Sequence, residues 1–400
     1  MTAAQHILSK RLVASGLPAS GWDFVSAGLK TRAFWSAKIQ DVRHLQAAQS
    51  LLGDFLSHAR DADGALTSRA RLVSDLMRSA RERGLYTGTG GISDPGSARR
   101  NALIVDTNAG LAAGYANFAA GASTGARLAY PCQELVRVEE RRQKRDWRSR
   151  WTAAGGKLYA GRMVALKDDP VCSRVSRFGV PYGPPDYGSG MGWQDVSYED
   201  AVALGLIEDG YMPPETPLKD FNAGLEADLQ FTGEDDPQWL YLKDAFGDQV
   251  RREAGKIRWQ ADIIADAFRA RSADPQYQRA LRLGAPTPKA LAAAPADARL
   301  EGKGLTLQTD HLQHEMDRHI GTAETHADNL PLAESDMAMI PHAWRFPDRV
   351  TRGKGDALFF DLQGADGGWY RLVVDAFDKE SRFRTFYKVK AGASGLPVKG

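Results

Sequence analysis

The stretch that decides the fold reads DDPVCSRVSRFGVPYGPPDYGSGMGW and covers residues 168–193. It contains five glycines, four prolines and four aromatic side chains, and Cys172 is its one cysteine. A long segment of this composition is a ligand loop, a metal-binding knuckle or a structural clasp. Prolines fix φ and reduce the conformational freedom of the unfolded chain, which favours a stiff element.

The segment lacks the ligand pattern of a metal site. Cys172 has no second cysteine nearby, and no histidine follows it until His311, whereas zinc sites need Cys/His pairs at short spacing. Asp168, Asp169 and Asp186 do not follow the calcium-loop pattern. The prolines also remove the backbone donors that line a phosphate-binding loop. We therefore predict a structural clasp that needs neither a metal nor a cofactor.

Cysteine content and hydropathy limit the class of protein. Cys132 and Cys172 are the two cysteines among 400 residues, which gives no disulfide framework and indicates a reducing compartment, although the sequence leaves open whether they pair. No run of 18 apolar residues exists, so we expect no membrane span. The start, MTAAQHILSKRLVASG, lacks the apolar core of a secretory signal.

Charge is distributed in blocks, although the net charge is only +2. Residues 134–177 contain 12 Lys or Arg against 6 Asp or Glu, and residues 208–248 contain 2 against 11. Such blocks are typical of docking to charged partners. They are equally compatible with the two blocks neutralising each other inside one fold or across a subunit contact.

The region before the clasp is predicted to be mainly helical. Apolar residues between Phe34 and Phe55 approximate helical spacing, and TSRARLVSDLMRSARERGL reads as a helix closed by Gly84. After a Gly/Ser/Pro break at residues 87–97 comes the Ala-rich helix SARRNALIVDTNAGLAAGYANFAAGAS. Its glycines cost helix stability but permit another segment to approach the backbone closely.

The region after the clasp is predicted to be helical and then sheet-forming. YPCQELVRVEE at 130–140, upstream of the clasp, reads as a strand, and VSYEDAVALGLIEDG reads as a helix capped by Ser197. Residues 234–285 read as mostly helical, and 286–304 read as a Pro/Ala linker. The runs DALFFDLQ, WYRLVVDAFD and FRTFYKVK alternate like strands, and GADGG at 364–368 reads as a hairpin turn.

The tail concentrates the side chains of metal-free RNA cleavage. That reaction needs a base for the 2′-hydroxyl, an acid for the leaving oxygen and cations on the phosphate. Histidines cluster between 311 and 342, and basic side chains recur on the final strands. The alternative is a solvated, charge-studded edge of a structural sheet. The candidate catalytic residues are His314, His342, Arg345, Arg371, Arg384, Thr385 and Lys388.

Residues 97–207 resemble the Mu F-like phage head morphogenesis proteins, the minor head proteins of tailed phages. The resemblance is carried by VDTNAGLAAGY, by RDWRSRWTAAGGKLYAGRMVALKDDPV and by PYGPPDYGSGMGWQDVSYEDAVALGL, in the family's order. The upstream GWDF and LKTRAFWSAKI extend it to about residue 20. Many members have a histidine before the Asp-Asp-Pro and a Cys-x-Cys after the Pro-Pro. This chain has neither, so no metal is carried over.

The tail resembles the nuclease-like domains that are fused to such head proteins, of the barnase, EndoU, colicin and RelE-like type. HLQHEMDRHIG, IPHAWRFPDRV and the later strands carry this likeness. The likeness implies a small domain of helices followed by an antiparallel sheet. It does not identify catalytic residues, because fold likeness does not establish activity.

Together these features predict an α+β protein with a helical region at 1–96, a head-morphogenesis core at 97–285, a linker at 286–304 and a nuclease-like domain at 305–400. The resemblance implies a minor head protein that binds portal and capsid proteins, is oligomeric in the particle and contacts no membrane. Packaged DNA and host RNA are further candidate partners. The expected locations are the head interior and, during assembly, the host cytoplasm. The alternative function is a metal-independent ribonuclease in the tail.

Overall fold

The computed structural model describes residues 1–58, 66–214, 235–253, 255–311, 328–377, 380–393 and 396. The chain divides into two compact units. Unit 1 comprises Met1–Lys10, Pro18–Ala37 and Ala48–Ala227, and unit 2 comprises Arg11–Leu17, Lys38–Ala47 and Asp228–Gly400. Each contains helices and a sheet, so the predicted α+β class is confirmed.

The described residues form helices of different lengths together with fourteen strands. The α-helices are α1 (Ala3–Leu8), α2 (Ala19–Trp22), α3 (Ala27–Arg32), α4 (Val42–Leu56), α5 (Arg69–Glu82), α6 (Ala98–Ala120), α7 (Thr124–Ala129), α8 (Trp147–Ala153), α9 (Val171–Arg174), α10 (Tyr198–Ala203), α11 (Pro237–Phe246), α12 (Gln260–Ala273), α13 (Pro288–Ala293) and α14 (Ile340–Arg345). Two 3-10 helices cover Gly247–Gln249 and Glu334–Met339. Among these described residues, no helix is both long and apolar enough to cross a bilayer.

The strands are β1 (Arg11–Leu12), β2 (Ala33–Phe34), β3 (Cys132–Arg137), β4 (Val164–Leu166), β5 (Met191–Val196), β6 (Val250–Glu253), β7 (Lys256–Trp259), β8 (Ala280–Leu283), β9 (Leu305–Gln308), β10 (Asn329–Leu330), β11 (Arg349–Arg352), β12 (Ala357–Gln363), β13 (Trp369–Ala376) and β14 (Ser381–Val389). The region at 234–285, predicted to be mostly helical, thus includes the hairpin β6–β7 and the strand β8.

The two long helices of unit 1 begin where serine can cap them. The Ser68 hydroxyl accepts from the amide of Arg71 at the start of α5, and Ser97 accepts from Arg100 at the start of α6. Gly84 follows α5 with φ of 67°, a conformation that glycine adopts without steric cost. Both predicted helices are confirmed. The predicted helix between Phe34 and Phe55 is wrong in its first part, because α4 begins only at Val42.

A small sheet in the order β4–β3–β5 forms the centre of unit 1. Side chains alternate across a strand, and one face packs Leu135, Ala165 and Met191 against Trp147 and Trp151 of α8. The opposite face packs on α10 and the turn after it. Ser197 caps α10 by accepting from the amide of Asp200 at 3.1 Å, as its sequence predicts.

Unit 2 is built on a larger sheet in the order β11–β12–β13–β14–β9–β8, and β10 also pairs with β14. All pairings are antiparallel except β14 with β9, which is parallel. The predicted hairpin joins β12 and β13, where the Gly364 amide donates to the Gly368 carbonyl at 2.7 Å. Of the turn expected at 378–381, residues 378 and 379 lie outside the described residues.

The predicted alternation of β14 is interrupted by a bulge. Val373 lies opposite Thr385, whereas Val374 lies opposite Phe383, which leaves Arg384 as the extra residue. Phe383 and Phe386 consequently share the buried face. The regular alternation predicted for FRTFYKVK would place Phe386 on the face of Arg384, so that prediction is wrong at this point.

The predicted linker at 286–304 is not a separate connection, and the predicted boundary at 305 does not coincide with a unit boundary. The stretch includes α13, and Ala290, Ala298 and Leu300 are buried. The strand β8 just before it and β9 just after it pair in one sheet. Unit 2 therefore extends well upstream of residue 305, because β8 is a strand of the same sheet as β9.

Candidate functional site

Arg371, predicted to be a phosphate-binding cation, is buried in a salt bridge. Its Nε and Nη2 atoms donate to the two carboxylate oxygens of Asp361 at 2.6 and 3.0 Å. The Arg371 side chain is 4% exposed and that of Asp361 is fully buried. The guanidinium carbon also lies 4.6 Å from the ring centre of Phe359. Arg371 and Asp361 therefore form a structural ion pair within the sheet.

The other predicted cations of the tail are also paired with carboxylates. Arg384 is exposed, and its Nε donates to Asp375 at 2.9 Å. The remaining two pairs are Lys388 with Asp366 at 2.6 Å and Arg345 with Asp248 at 3.3 Å. Three cations that would stabilise a developing dianion are therefore already neutralised by separate partners.

His342, predicted to transfer a proton, lies on the wrong side of the sheet. It belongs to α14, whose Trp344 ring lies 4.8 Å from that of Phe360. Phe360 and Asp361 are adjacent in β12 and therefore point to opposite faces. The structure does not bring His342 together with Arg371. Thr385 lies opposite Val373 on the Arg371 face, and His314 lies outside the described residues.

The protonation of His342 is linked to the stability of unit 2. Burial, together with the charge of the nearby Arg345, lowers its pKa to about 4. The unfolded chain has the ordinary pKa near 6.5, so between about pH 6.5 and 4 it binds a proton that the folded state does not. Stability is therefore complete above pH 6.5 and is lost as the pH falls, by about 1.4 kcal/mol per pH unit.

We expect His342→Gln to reduce the acid sensitivity of folding. Between pH 7 and pH 5, wild type should lose about 2 kcal/mol more unfolding free energy than the variant, measured by urea unfolding. Burial also lowers the pKa of His6 to about 2, but this contribution is present in both proteins and cancels. His58→Gln, at an exposed position, should keep the wild-type pH dependence. Equal pH dependence of His342→Gln and wild type would contradict the assignment.

A large concave surface lies in unit 1. It is a groove of about 1500 Å³ lined by one face of α6, by the clasp and by the edge of the small sheet. The clasp crosses α6 at two glycines: a Cβ at Gly114 would lie 2.2 Å from the Gly183 carbonyl oxygen, and one at Gly110 would lie 2.9 Å from Pro184. The glycines of α6 thus serve the close approach that their spacing predicts.

Two paired cations are among the residues that line this groove. Arg127 donates to Asp168 at 2.8 Å, and Lys167 lies 2.8 Å from Asp195. The side chains of Arg127 and Lys167 are 9% and 11% exposed. The amide of Gln133 donates to the Pro181 carbonyl at 3.2 Å and fixes the clasp over the sheet. The lining of the groove therefore combines apolar residues with cations whose charge is neutralised by carboxylates.

The clasp is fixed by its own ion pairs and aromatic contacts. Asp186, whose side chain is 8% exposed, lies 2.8 Å from Arg150, 3.2 Å from Arg145 and 3.6 Å from Arg177. Arg177 also donates to both carboxylate oxygens of Asp23, at 2.8 and 2.6 Å. Part of the basic block at 134–177 is thus neutralised locally. About half of the acidic block at 208–248, namely residues 215–234, lies outside the described residues.

The two cysteines are buried free thiols. Burial raises the pKa of both Cys132 and Cys172 to about 12, and the Cys172 thiol lies 3.6 Å from the Leu166 carbonyl oxygen. A thiol with such a pKa is a poor nucleophile at neutral pH. Within the described ranges, no three His, Cys, Asp or Glu side chains are grouped so that they could hold a metal ion.

Comparison with known proteins yields no relative. No family model matches the chain, and neither a curated protein nor a solved structure matches it.

Sequence reasoning missed the groove and the pairing of the cations. The glycine spacing in α6 was a usable signal for close approach, but it does not identify the approaching segment as Gly183–Pro184. The partners Asp361, Asp366 and Asp375 are visible in the sequence. Only the strand register shows that Asp361 lies directly opposite Arg371.

Proposed function

We propose that this chain is a minor structural protein of a phage head. In this proposal it acts in head assembly by binding portal or inner capsid proteins, is oligomeric in the particle and resides in the head interior. During assembly it is present in the host cytoplasm. The ordered motifs between about residues 20 and 210 support the proposal, because they resemble the Mu F-like head morphogenesis proteins over most of unit 1.

The observation that carries the choice of a structural role is the neutralisation of the tail's cations. A ribonuclease without a metal needs cationic groups aimed at one phosphate and a general base close to them. Arg371, Arg384 and Lys388 instead bind Asp361, Asp375 and Asp366. His342 lies on α14, against the opposite face of the sheet. These contacts favour a structural sheet over the ribonuclease alternative.

The groove of unit 1 supports a protein partner. Its lining includes small residues of α6 such as Ala109 and Ala113, and residues of the clasp line it as well. A preformed concave surface binds a partner segment with little loss of its own conformational freedom. In the proposed role, an extended segment of a portal or capsid protein occupies this groove.

The location of the chain in particles tests the proposal. We expect the chain to sediment with DNA-filled heads purified from a host that produces them, and to resist external protease until the heads are opened. Immunoblotting of gradient fractions provides the measurement. Recovery of the chain only in the soluble fraction, away from heads and head intermediates, would contradict a head protein.

A cleavage assay on the full chain tests the ribonuclease alternative. We expect no cleavage of RNA in EDTA above that of a buffer control. Metal-independent cleavage that is lost in Arg384→Ala, but retained in Arg382→Ala, would establish the alternative. Arg382 is the matched control because it is an exposed neighbour on β14 that is likewise paired, in its case with Glu380 at 2.6 Å.

A further inference from the structure

The loop at residues 155–162 of unit 1 lies in an unusually basic stretch. Between Trp147 and Lys167 the sequence has five Lys or Arg residues and no Asp or Glu. Three of the five are neutralised by carboxylates from elsewhere in unit 1, in the pairs Arg150–Asp186, Arg162–Glu134 and Lys167–Asp195. The other two are Arg148 and Lys157, which form no such pair among the described residues.

Arg148 and Lys157 are exposed, and a third exposed cation, Arg174, reaches the same loop. A Cβ atom added at Gly161 would lie 3.8 Å from the Arg148 guanidinium. A Cβ atom added at Gly155 would lie 3.7 Å from the Arg174 guanidinium. Across the part of the chain that the structure describes, none of the three forms an ion pair, and the carboxylate whose charge interacts with Arg148 is that of Asp146. We call these three side chains the basic loop surface.

The loop of this surface, which carries Lys157 between Arg148 of α8 and Arg174 of α9, is well anchored. The Trp151 indole nitrogen donates to the Lys157 carbonyl at 2.8 Å, and Trp151 itself is fully buried. Tyr159 and Arg162 exchange backbone hydrogen bonds of 3.0 and 2.9 Å across the tip. Holding one cation on a fixed turn and two on adjacent helices lowers the entropy lost when they bind a fixed array of anions.

We infer that the basic loop surface binds the phosphate backbone of duplex DNA. Exposed Lys and Arg side chains supply sequence-independent affinity for phosphates and need no apolar anchor. An acidic protein partner would need a buried apolar centre, yet Leu158, at 41% exposed, is the one large apolar side chain exposed on this loop. The proposed head location supplies DNA as the polyanion, and the inference depends on the proposed function only for that identification.

Salt dependence of DNA binding by the full chain tests the inference. The probe is a fluorescein-labelled 30-base-pair duplex, and anisotropy reports its binding between 50 and 200 mM NaCl. Each phosphate contact contributes about −0.9 to the slope of log affinity against log salt. The triple variant Arg148→Gln/Lys157→Gln/Arg174→Gln should lose about 2.7 from that slope. Over this salt range wild type should therefore weaken about 40-fold more than the variant.

The matched control removes the same charge from exposed arginines that are already paired. Arg78, Arg352 and Arg382 bind Asp75, Asp297 and Glu380, and their triple Gln variant should keep most of the wild-type slope. An equal loss in both triple variants, with circular dichroism unchanged, would reduce the effect to net charge and overturn the inference. Binding of poly-glutamate in preference to the duplex would overturn it in favour of an acidic protein. Neither result depends on where the chain is found in particles.

Discussion

Gly114→Ala is expected to lower the unfolding free energy of unit 1 by about 3 kcal/mol. The added Cβ would lie 2.2 Å from the carbonyl oxygen and 3.0 Å from the nitrogen of Gly183. Both are backbone atoms, so neither can rotate away, and either α6 or the clasp has to shift. Overpacking of this kind costs about 1–3 kcal/mol or more. Chemical denaturation followed by tryptophan fluorescence measures the loss.

Gly125→Ala is the matched control for this substitution. Gly125 also lies in a helix, α7, and a Cβ there would meet no atom within 4 Å. Alanine is the better helix former by about 1 kcal/mol, so this variant should be as stable as wild type or slightly more stable. If Gly114→Ala behaves like Gly125→Ala, the clasp does not pack on α6 as described.

The elements that the sequence predicts correctly are those with strong local signals. The helices α5 and α6 carry serine caps, and β12 and β13 flank a glycine-rich turn. These signals act within a few residues, where backbone hydrogen bonding and side-chain alternation decide the conformation. The structural nature of the clasp was inferred from prolines and absent ligands, and its close packing on α6 agrees with that prediction.

Features that depend on distant residues could not be predicted. The parallel pairing of β14 with β9, and the addition of β8, join segments through a stretch that reads as a linker. The bulge at Arg384 changes which side chains share a face. The sequence therefore indicates which residue types the candidate site contains. It does not show which of them lie together, because strand register and tertiary packing determine the ion-pair partners.

Removing Arg371 tests most directly whether the tail's cations are structural. We expect Arg371→Met to lower the unfolding free energy by about 4 kcal/mol, because it leaves the fully buried Asp361 carboxylate without its cation. Urea unfolding at pH 7 measures the loss. Arg382→Met breaks an exposed pair with Glu380 and should cost less than about 1 kcal/mol.

A double variant separates loss of the ion pair from loss of packing. Replacing both partners, as Arg371→Met with Asp361→Leu, removes the uncompensated charge, and replacement of a buried pair by apolar side chains is often neutral or stabilising. The double variant should therefore recover most of the stability that Arg371→Met loses. A catalytic arginine would behave in the opposite way, since its removal would reduce cleavage while leaving the fold stable. If Arg371→Met is as stable as wild type, the salt bridge does not hold the sheet together, and Arg371 becomes available again as a phosphate-binding residue.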